Sequence, residues 1–116
     1  MQMIEAIINP ARFESVKEAL ARYGILGVTA IECHGIGREL PPPRPAYHRG
    51  NGPHVDLVRK ILLKVCVKDY EISPAVEAIR AAGRTGAGAV GDGKVFVFPV
   101  AHAIRIRTGD EDDEAL

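Results

Sequence analysis

The segment from Leu57 to Val67 alternates between apolar and charged positions, and this alternation restricts the fold more than any other feature of the chain. One set of alternate positions is aliphatic: Ile61, Leu63, Val65 and Val67. The other set carries the lysines Lys60, Lys64 and Lys68. Successive side chains of a strand point to opposite faces, so the pattern predicts a strand with one buried and one charged face. Such a strand needs neighbouring strands and a layer that covers its apolar face.

Other segments carry the signals of regular structure. In chain order they are a strand at Met1–Ile8, a helix that opens near Pro10 and stops at Gly24, a strand at Val28–Ile36, a helix capped by Ser73, opened by Pro74 and ended by Gly83, and a strand at Val95–Phe98. The apolar stripes of the two helices are Phe13, Val16, Leu20 and Tyr23, and then Val76 and Ile79. The segment Ala101–Arg107 is predicted as a short further strand. The order strand-helix-strand-strand-helix-strand predicts a ferredoxin-like α+β sandwich in one domain over residues 1–116.

The first strand is apolar on both of its faces. Ile4, Ala6 and Ile8 lie on one side, and Met3 and Ile7 lie on the other. Two helices can cover only one face of a four-stranded sheet, so the second face is left without a layer of its own. Association between copies would cover it, which favours an oligomer over a face with a few tolerated apolar residues.

Two segments lack periodicity. Residues 38–56 include the sequence LPPPRPAYHRGNGPH and form a long loop, which in a compact domain is typically functional or disordered. Residues 110–116 form an acidic tail that is expected to be a solvated end.

Composition excludes several classes of partner. Fifteen basic and fifteen acidic residues give a net charge of zero, so neither nucleic acid nor an anionic membrane is an expected partner. No apolar run approaches the ~20 residues of a membrane span, and the first residues lack a signal-peptide pattern. Cys33 and Cys66 suggest a reducing compartment without a disulfide framework, so the cytoplasm is the expected location.

Two basic motifs are candidates for anion binding. The turn Gly91-Asp92-Gly93-Lys94 could form a nest of backbone N–H groups, although, taken alone, the motif is better explained by an ordinary turn followed by a surface lysine. Arg105 and Arg107 lie two apart and would project from one face of a strand, where a di- or triphosphate suits their guanidinium groups. The acidic run that begins at Asp110 is an alternative partner for both arginines.

Several separated motifs resemble the PII signal-transduction protein family, in the same order. They are MIEAIINP at the start, ALARYGILGVTAIECHGIGR from Ala19 to Arg38, the triplet Arg84-Thr85-Gly86, and GDGKVFVFPVAHAIRIRTGDED from Gly91 to Asp112. The resemblance covers the whole chain except the long loop, where this sequence diverges. It implies a homotrimer that binds ATP or ADP, with Mg²⁺ as a companion of ATP, in clefts between subunits. It also implies a regulator without enzymatic activity, whose loop engages a membrane transporter or a metabolic enzyme.

The same resemblance assigns roles to individual residues. The phosphates would be contacted by Gly91, Asp92, Gly93, Lys94, Arg105 and Arg107, with Gly37 and Arg38 closing over them from the base of the loop. The adenine would be contacted by Thr29, the backbone at Cys66 and the apolar floor Ile7.

The sequence departs from the family pattern at the predicted 2-oxoglutarate site. Lys60, which would pair with the oxoacid, is present, but Glu39 stands where the family has a glutamine. Four residues, Ala87 to Val90, separate the RTG triplet from Gly91 where the family usually has two. The response to 2-oxoglutarate is therefore expected to be weak or absent. A trimeric divalent-metal-binding protein of the CutA type, which shares the fold, is the alternative function, and the histidines in and near the loop are its support.

Overall fold

The computed structural model describes residues 1–38 and 57–116. Over these residues the chain forms a four-stranded antiparallel sheet and two α-helices. The elements in chain order are β1 (Gln2–Ile8), α1 (Phe13–Arg22), β2 (Thr29–Gly35), β3 (Val58–Val67), α2 (Ile72–Gly83) and β4 (Gly93–Pro99). Short 3-10 turns precede α1 at Pro10–Arg12 and α2 at Asp69–Glu71, and another lies at Asp112–Ala115. The predicted α+β order of elements is confirmed.

The strands lie in the order β2-β3-β1-β4, with β1 and β3 at the centre. The register places Ile7 of β1 opposite Leu62 on one side and opposite Lys94 on the other. Thr29 of β2 lies opposite Lys64 of β3. This arrangement is consistent with the ferredoxin-like fold that the element order predicts.

The core lies between the helices and one face of the sheet. The predicted aliphatic face of β3 is buried, as are Ile4, Ala6 and Ile8 of β1. The helical residues that join this cluster are Val16, Ala19, Leu20, Ala75, Ala78 and Ile79. Arg12 adds a polar link, because its Nε donates to the Ala82 carbonyl at 2.8 Å and so joins the start of α1 to the end of α2.

The ends of the helices show where the sequence prediction was right and where it was wrong. Gly24 has a φ of 76° and terminates α1 in a Schellman motif, in which the N–H of Ile25 donates to the Leu20 carbonyl. Tyr23, expected in the apolar stripe, is 59% exposed because it lies at the cap rather than on the inner face. Ser73 does not cap α2, which begins at Ile72 directly after the 3-10 turn. Gly83 ends α2 as predicted.

The second face of the sheet, which we call the open face, is not covered by either helix. Because directly paired residues share a face, the register assigns Ile31, Leu62, Met3, Ile7, Phe96 and Phe98 to it. Ile31, Phe96 and Phe98 are 43%, 48% and 40% exposed. Glu5 and Lys64 form an ion pair on this face at 3.7 Å. The apolar second face predicted from β1 is therefore present in the folded chain.

The segment after β4 was predicted wrongly as a strand. Over Ala101–Arg107 the structure has only an isolated bridge between Ile104 and Glu111. The chain folds back because Arg105 bonds the segment that follows it: its N–H donates to the Asp110 carbonyl, and its Nη1 donates to the Asp110 carboxylate at 3.0 Å. The acidic tail is correspondingly more than a solvated end.

Candidate functional site

A cavity of about 590 Å³ lies at one end of the open face, where the segment after β2, the centre of the sheet and the start of β4 meet. The predicted site residues that line it are Ile7, Gly37, Arg38, Lys60, Gly91, Asp92, Gly93 and Lys94. The rest of the wall is formed by residues that the sequence analysis had not predicted as site residues: Gly35, Ile36, Ala89, Val90 and Phe96. The fold thus brings residues distant in sequence into one concave surface.

Gly93 fixes the position of the glycine turn against β1. It has a φ of 104°, and a Cβ built on it would lie 1.7 Å from the carbonyl oxygen of Ile7. No L-residue with a side chain fits at this approach, because both the backbone conformation and the space exclude it. The turn from Gly91 to Lys94 is consequently seated directly on the strand that supplies Ile7 to the cavity.

Lys60 anchors the same turn from β3. Its side chain is only 6% exposed, and its Nζ donates to the carbonyl of Gly91 at 2.7 Å. The lysine was predicted as an oxoacid contact, and it does line the cavity. The oxoacid contact stays a prediction, and the contact that the structure shows is that of the ammonium group with the backbone of the predicted phosphate turn.

Asp92 turns its carboxylate towards its own loop. Oδ2 accepts hydrogen bonds from the N–H groups of Thr85 at 3.0 Å and Ala89 at 2.8 Å. These backbone hydrogen bonds, with Ala89 first, lower the pKa of the Asp92 carboxyl, and the Arg84 charge lowers it further. The motif GDGK alone did not indicate these partners, because they come from a loop several residues upstream.

The described charges around the cavity are mainly positive. Arg38 and Lys94 are exposed at its rim, and Lys60 lies in its wall. Asp92 is the acidic residue among the described lining residues. Backbone N–H groups of a glycine turn together with three cations form a surface suited to a multiply charged anion.

Thr29 and Cys66, the predicted adenine contacts, lie elsewhere on the sheet. Thr29 is opposite Lys64, and Cys66 is two residues further along the same face of β3. Cys66 is six residues from Lys60, which corresponds to about 20 Å along an extended strand. Within one chain these residues do not line the cavity.

Arg105 and Arg107 also lie outside the cavity lining. Arg105 is partly buried by its own segment, where Nη1 contacts Asp110 and Nη2 donates to the Leu116 carbonyl at 3.2 Å. The acidic alternative that the sequence left open is thus realised for Arg105. Because the segment is not a strand, the expected projection of both arginines from one strand face does not occur.

Some sequence features fall outside what the structure describes. Glu39 and the loop histidines His48 and His54 lie between residues 38 and 57 and are not described. Over residues 1–38 and 57–116, no group of three or more His, Cys, Asp or Glu side chains could hold a metal ion. In the same residues, neither helix is long and apolar enough to cross a membrane.

Comparison with known proteins identifies the family. The family model described as Nitrogen regulatory protein P-II matches residues 1–110. The chain is 42% identical over 116 residues to Nitrogen regulatory protein P-II 1 of Escherichia coli (strain K12), with both chains covered completely. The chain belongs to the PII family. It is also 42% identical to Nitrogen regulatory protein P-II of Klebsiella oxytoca and 40% identical to that of Rhizobium etli, again over 116 residues and the whole of each chain.

Membership of the PII family settles the broad class of the protein. PII proteins are regulatory signalling proteins and not enzymes, so the chain is a regulator. The resemblance found from the separated motifs is thereby confirmed. The family model runs through residues 38–56, so this match includes the long loop, which the separated motifs did not cover.

Proposed function

We propose that the protein is a homotrimeric sensor that binds ATP or ADP at clefts between subunits, with Mg²⁺ accompanying ATP. The observation that carries this proposal is the glycine turn Gly91–Lys94, seated between Ile7 and Lys60 and facing the cation Arg38 across one cavity. PII proteins are known to bind adenine nucleotides, and the cavity has the charge and the backbone donors that phosphates need.

The division of the predicted residues into separate groups supports a site shared between copies. The phosphate turn lines the cavity, whereas Thr29 and Cys66 lie towards the other end of the sheet and Arg105 and Arg107 lie in the C-terminal segment. A single chain cannot bring all three groups to one nucleotide in this conformation. A neighbouring copy that contributes one or more groups would complete the site, and the open face supplies an apolar surface for that contact.

Loss of one phosphate contact tests the nucleotide site. We expect Lys94→Ala to weaken ADP and ATP binding by about 1.5–3 kcal/mol, roughly ten- to a hundredfold in affinity, because a charge-assisted contact is removed. Arg105→Ala should have a similar effect, since the resemblance assigns it to the same phosphates. Calorimetric titration measures both. Lys17→Ala on α1, whose lysine pairs with Glu14 away from the cavity lining, is the control and should bind as the unaltered protein does.

Unchanged affinity in both the Lys94 and the Arg105 variants would place the nucleotide elsewhere. Titration with divalent metal ions in the absence of nucleotide separates this proposal from the CutA-type alternative. Stoichiometric metal binding without nucleotide binding would favour that alternative.

We expect 2-oxoglutarate to bind weakly or not at all, even with Mg-ATP present. A glutamate carboxyl is ordinarily ionised at neutral pH, and a carboxylate at position 39 cannot donate the hydrogen bond that an amide would. A like-charge contact at ~4 Å with an effective dielectric near ~20 is of order 4 kcal/mol before screening. Titration of 2-oxoglutarate into the Mg-ATP complex measures the affinity. Micromolar binding by the unaltered protein would contradict the prediction, whereas a gain in Glu39→Gln alone would support the electrostatic cause.

The regulated target is proposed to be a membrane transporter or a metabolic enzyme in the cytoplasm, engaged through residues 38–56. The relatives are named as nitrogen regulatory proteins, and we propose nitrogen or inorganic-carbon metabolism as the setting here. Affinity purification with and without ADP or ATP, followed by identification of the retained proteins, tests this part. A variant that lacks the loop is the control.

A further inference from the structure

We infer that Asp92 is a positioning residue, whose carboxylate ties the segment Arg84–Gly91 to the phosphate turn and so holds the turn's backbone N–H groups in the geometry that binds nucleotide. The inference rests on the proposed nucleotide site. It gives Asp92 a role different from the direct phosphate contact that the family resemblance implies.

The hydrogen bonds of Asp92 join it to the upstream loop, at Thr85 and Ala89. One oxygen, Oδ2, accepts from the N–H of Thr85 and from the N–H of Ala89. The N–H of Asp92 in turn donates to the Ala89 carbonyl at 3.1 Å, and the N–H of Gly88 donates to Thr85 at 2.9 Å. The loop is therefore closed on Asp92 and on itself.

The loop needs such a tie because its backbone is otherwise costly to order. Gly86, Gly88, Gly91 and Gly93 all have positive φ values, and glycine loses more conformational freedom on ordering than any other residue. The phosphate turn is held at Gly93 by β1 and at Gly91 by Lys60. Asp92 lies between these two anchors and is the residue that joins them to the upstream loop.

The charges near Asp92 also argue against a direct contact with phosphate. An ionised carboxylate repels phosphate, and it has no proton to donate. Asp92 lines the cavity of about 590 Å³ and also a second cavity of about 390 Å³. The other charged residues among the described linings are cations: Arg38, Lys60 and Lys94 in the first cavity, and Arg80, Arg84 and Lys94 in the second. The hydrogen bonds from the N–H groups of Ala89 and Thr85, and then the Arg84 charge, lower the pKa of the Asp92 carboxyl, so it accepts these hydrogen bonds as a carboxylate.

The experiment compares Asp92→Ala with Asp92→Asn. Both backbone hydrogen bonds reach a single oxygen, so the amide oxygen of asparagine can accept both, whereas alanine accepts neither. The hydrogen bond from the Thr85 side chain to the carboxylate is also lost in alanine. We expect Asp92→Ala to weaken ADP binding about tenfold and Asp92→Asn to stay within about threefold of the unaltered protein. Amide hydrogen exchange at Thr85 and Ala89 should accelerate in Asp92→Ala and remain slow in Asp92→Asn. Glu18→Ala, which removes an exposed carboxylate from α1, should change neither measurement.

Repeating the ADP titrations in EDTA and in Mg²⁺ separates positioning from metal binding. A positioning role predicts the same loss in both solutions. A loss confined to Mg²⁺ would make Asp92 a metal contact and overturn the inference, as would unaltered ADP affinity in Asp92→Ala. Equal loss in both variants with the two amides still protected would also overturn it, because charge and not the acceptor would then matter.

ADP binding by the unaltered protein distinguishes a failure of this inference from a failure of the proposed function. If the unaltered protein binds no ADP, the proposed function fails, and with it the link from Asp92 to nucleotide affinity. Amide exchange at Thr85 and Ala89 then still decides whether Asp92 holds the loop. Thermal unfolding of Asp92→Ala, followed by circular dichroism, confirms that the comparison is made between folded proteins.

Discussion

At the scale of single residues, Gly93 is where the phosphate turn and β1 approach most closely. Its backbone lies so near Ile7 that any side chain would overlap the Ile7 carbonyl, and its φ of 104° is unfavourable for L-residues. The glycine is therefore required by both space and conformation. Gly91, at the other end of the glycine pair, is held differently, because the carbonyl of Gly91 accepts a hydrogen bond from Lys60.

We expect Gly93→Ala to lower the free energy of unfolding by about 2–3 kcal/mol or more, because the added methyl group forces β1 and β4 apart. Urea denaturation measures the change. Gly27→Ala is the matched control, since a Cβ there meets nothing within 4 Å and the residue lacks a positive φ. A similar stability for the two variants would show that the turn can move away from Ile7 without cost.

At the scale of elements, the segment after β4 is organised by side chains and not by sheet pairing. His102 Nδ1 lies 2.8 Å from Asp112 Oδ1, and the Ala103 N–H donates to the same oxygen. Asp112 has a φ of 52°, a left-handed conformation that these contacts hold in place. The pKa of the Asp112 carboxyl is lowered below its ordinary value, mainly by the hydrogen bond from His102 and to a smaller extent by the one from Ala103.

We expect the fold-back of this segment to be lost in acid. Folding lowers the pKa of the Asp112 carboxyl below its ordinary value of 3.8. The carboxylate therefore stabilises the folded form fully at pH values above 3.8, and this stabilisation is lost as the pH falls through the pKa of the folded state. Titration of the Asp112 carboxyl by NMR should give a pKa below 3.8, and His102→Ala should move it back towards that value. An Asp112 pKa that His102→Ala leaves unchanged would contradict the assigned cause.

At the scale of the whole molecule, the open face is an apolar sheet surface that neither helix covers. Phe98 and Ile31 stand on it with two-fifths or more of their surface exposed, beside the Glu5–Lys64 ion pair. Exposed apolar patches on a sheet indicate association, and the separated groups of predicted site residues point the same way.

We expect the unaltered protein to have the mass of a trimer by light scattering at micromolar concentration. Phe98→Asp should lower this mass, because a charge on the open face would be desolvated in the assembly. Tyr70→Asp is the control, since Tyr70 is 76% exposed in the turn before α2 and should leave the mass unchanged. A monomer mass for the unaltered protein would contradict the proposed assembly.

The sequence by itself determined the four strands, the two helices and the family of this protein, but not the segment after β4, where it predicted a strand that the structure does not have. Alternation in β3, the glycine ends of both helices and the separated PII motifs depend on short-range periodicity and backbone sterics, which can be read without knowing what lies nearby in space. The apolar residues on both faces of β1 likewise predicted the open face. These features are local, and the folded chain retains them.

The tertiary structure alone decided which partners the polar residues take. The sequence could not tell that Arg105 bonds Asp110 within its own chain, because a phosphate and a carboxylate both attract a guanidinium group and only the path of the chain brings Asp110 within reach. The path of the chain also decides which two N–H groups Asp92 binds and how closely the backbone of Gly93 approaches Ile7. Hydrogen bonds require fixed distances and directions between groups far apart in sequence, and folding is what sets them.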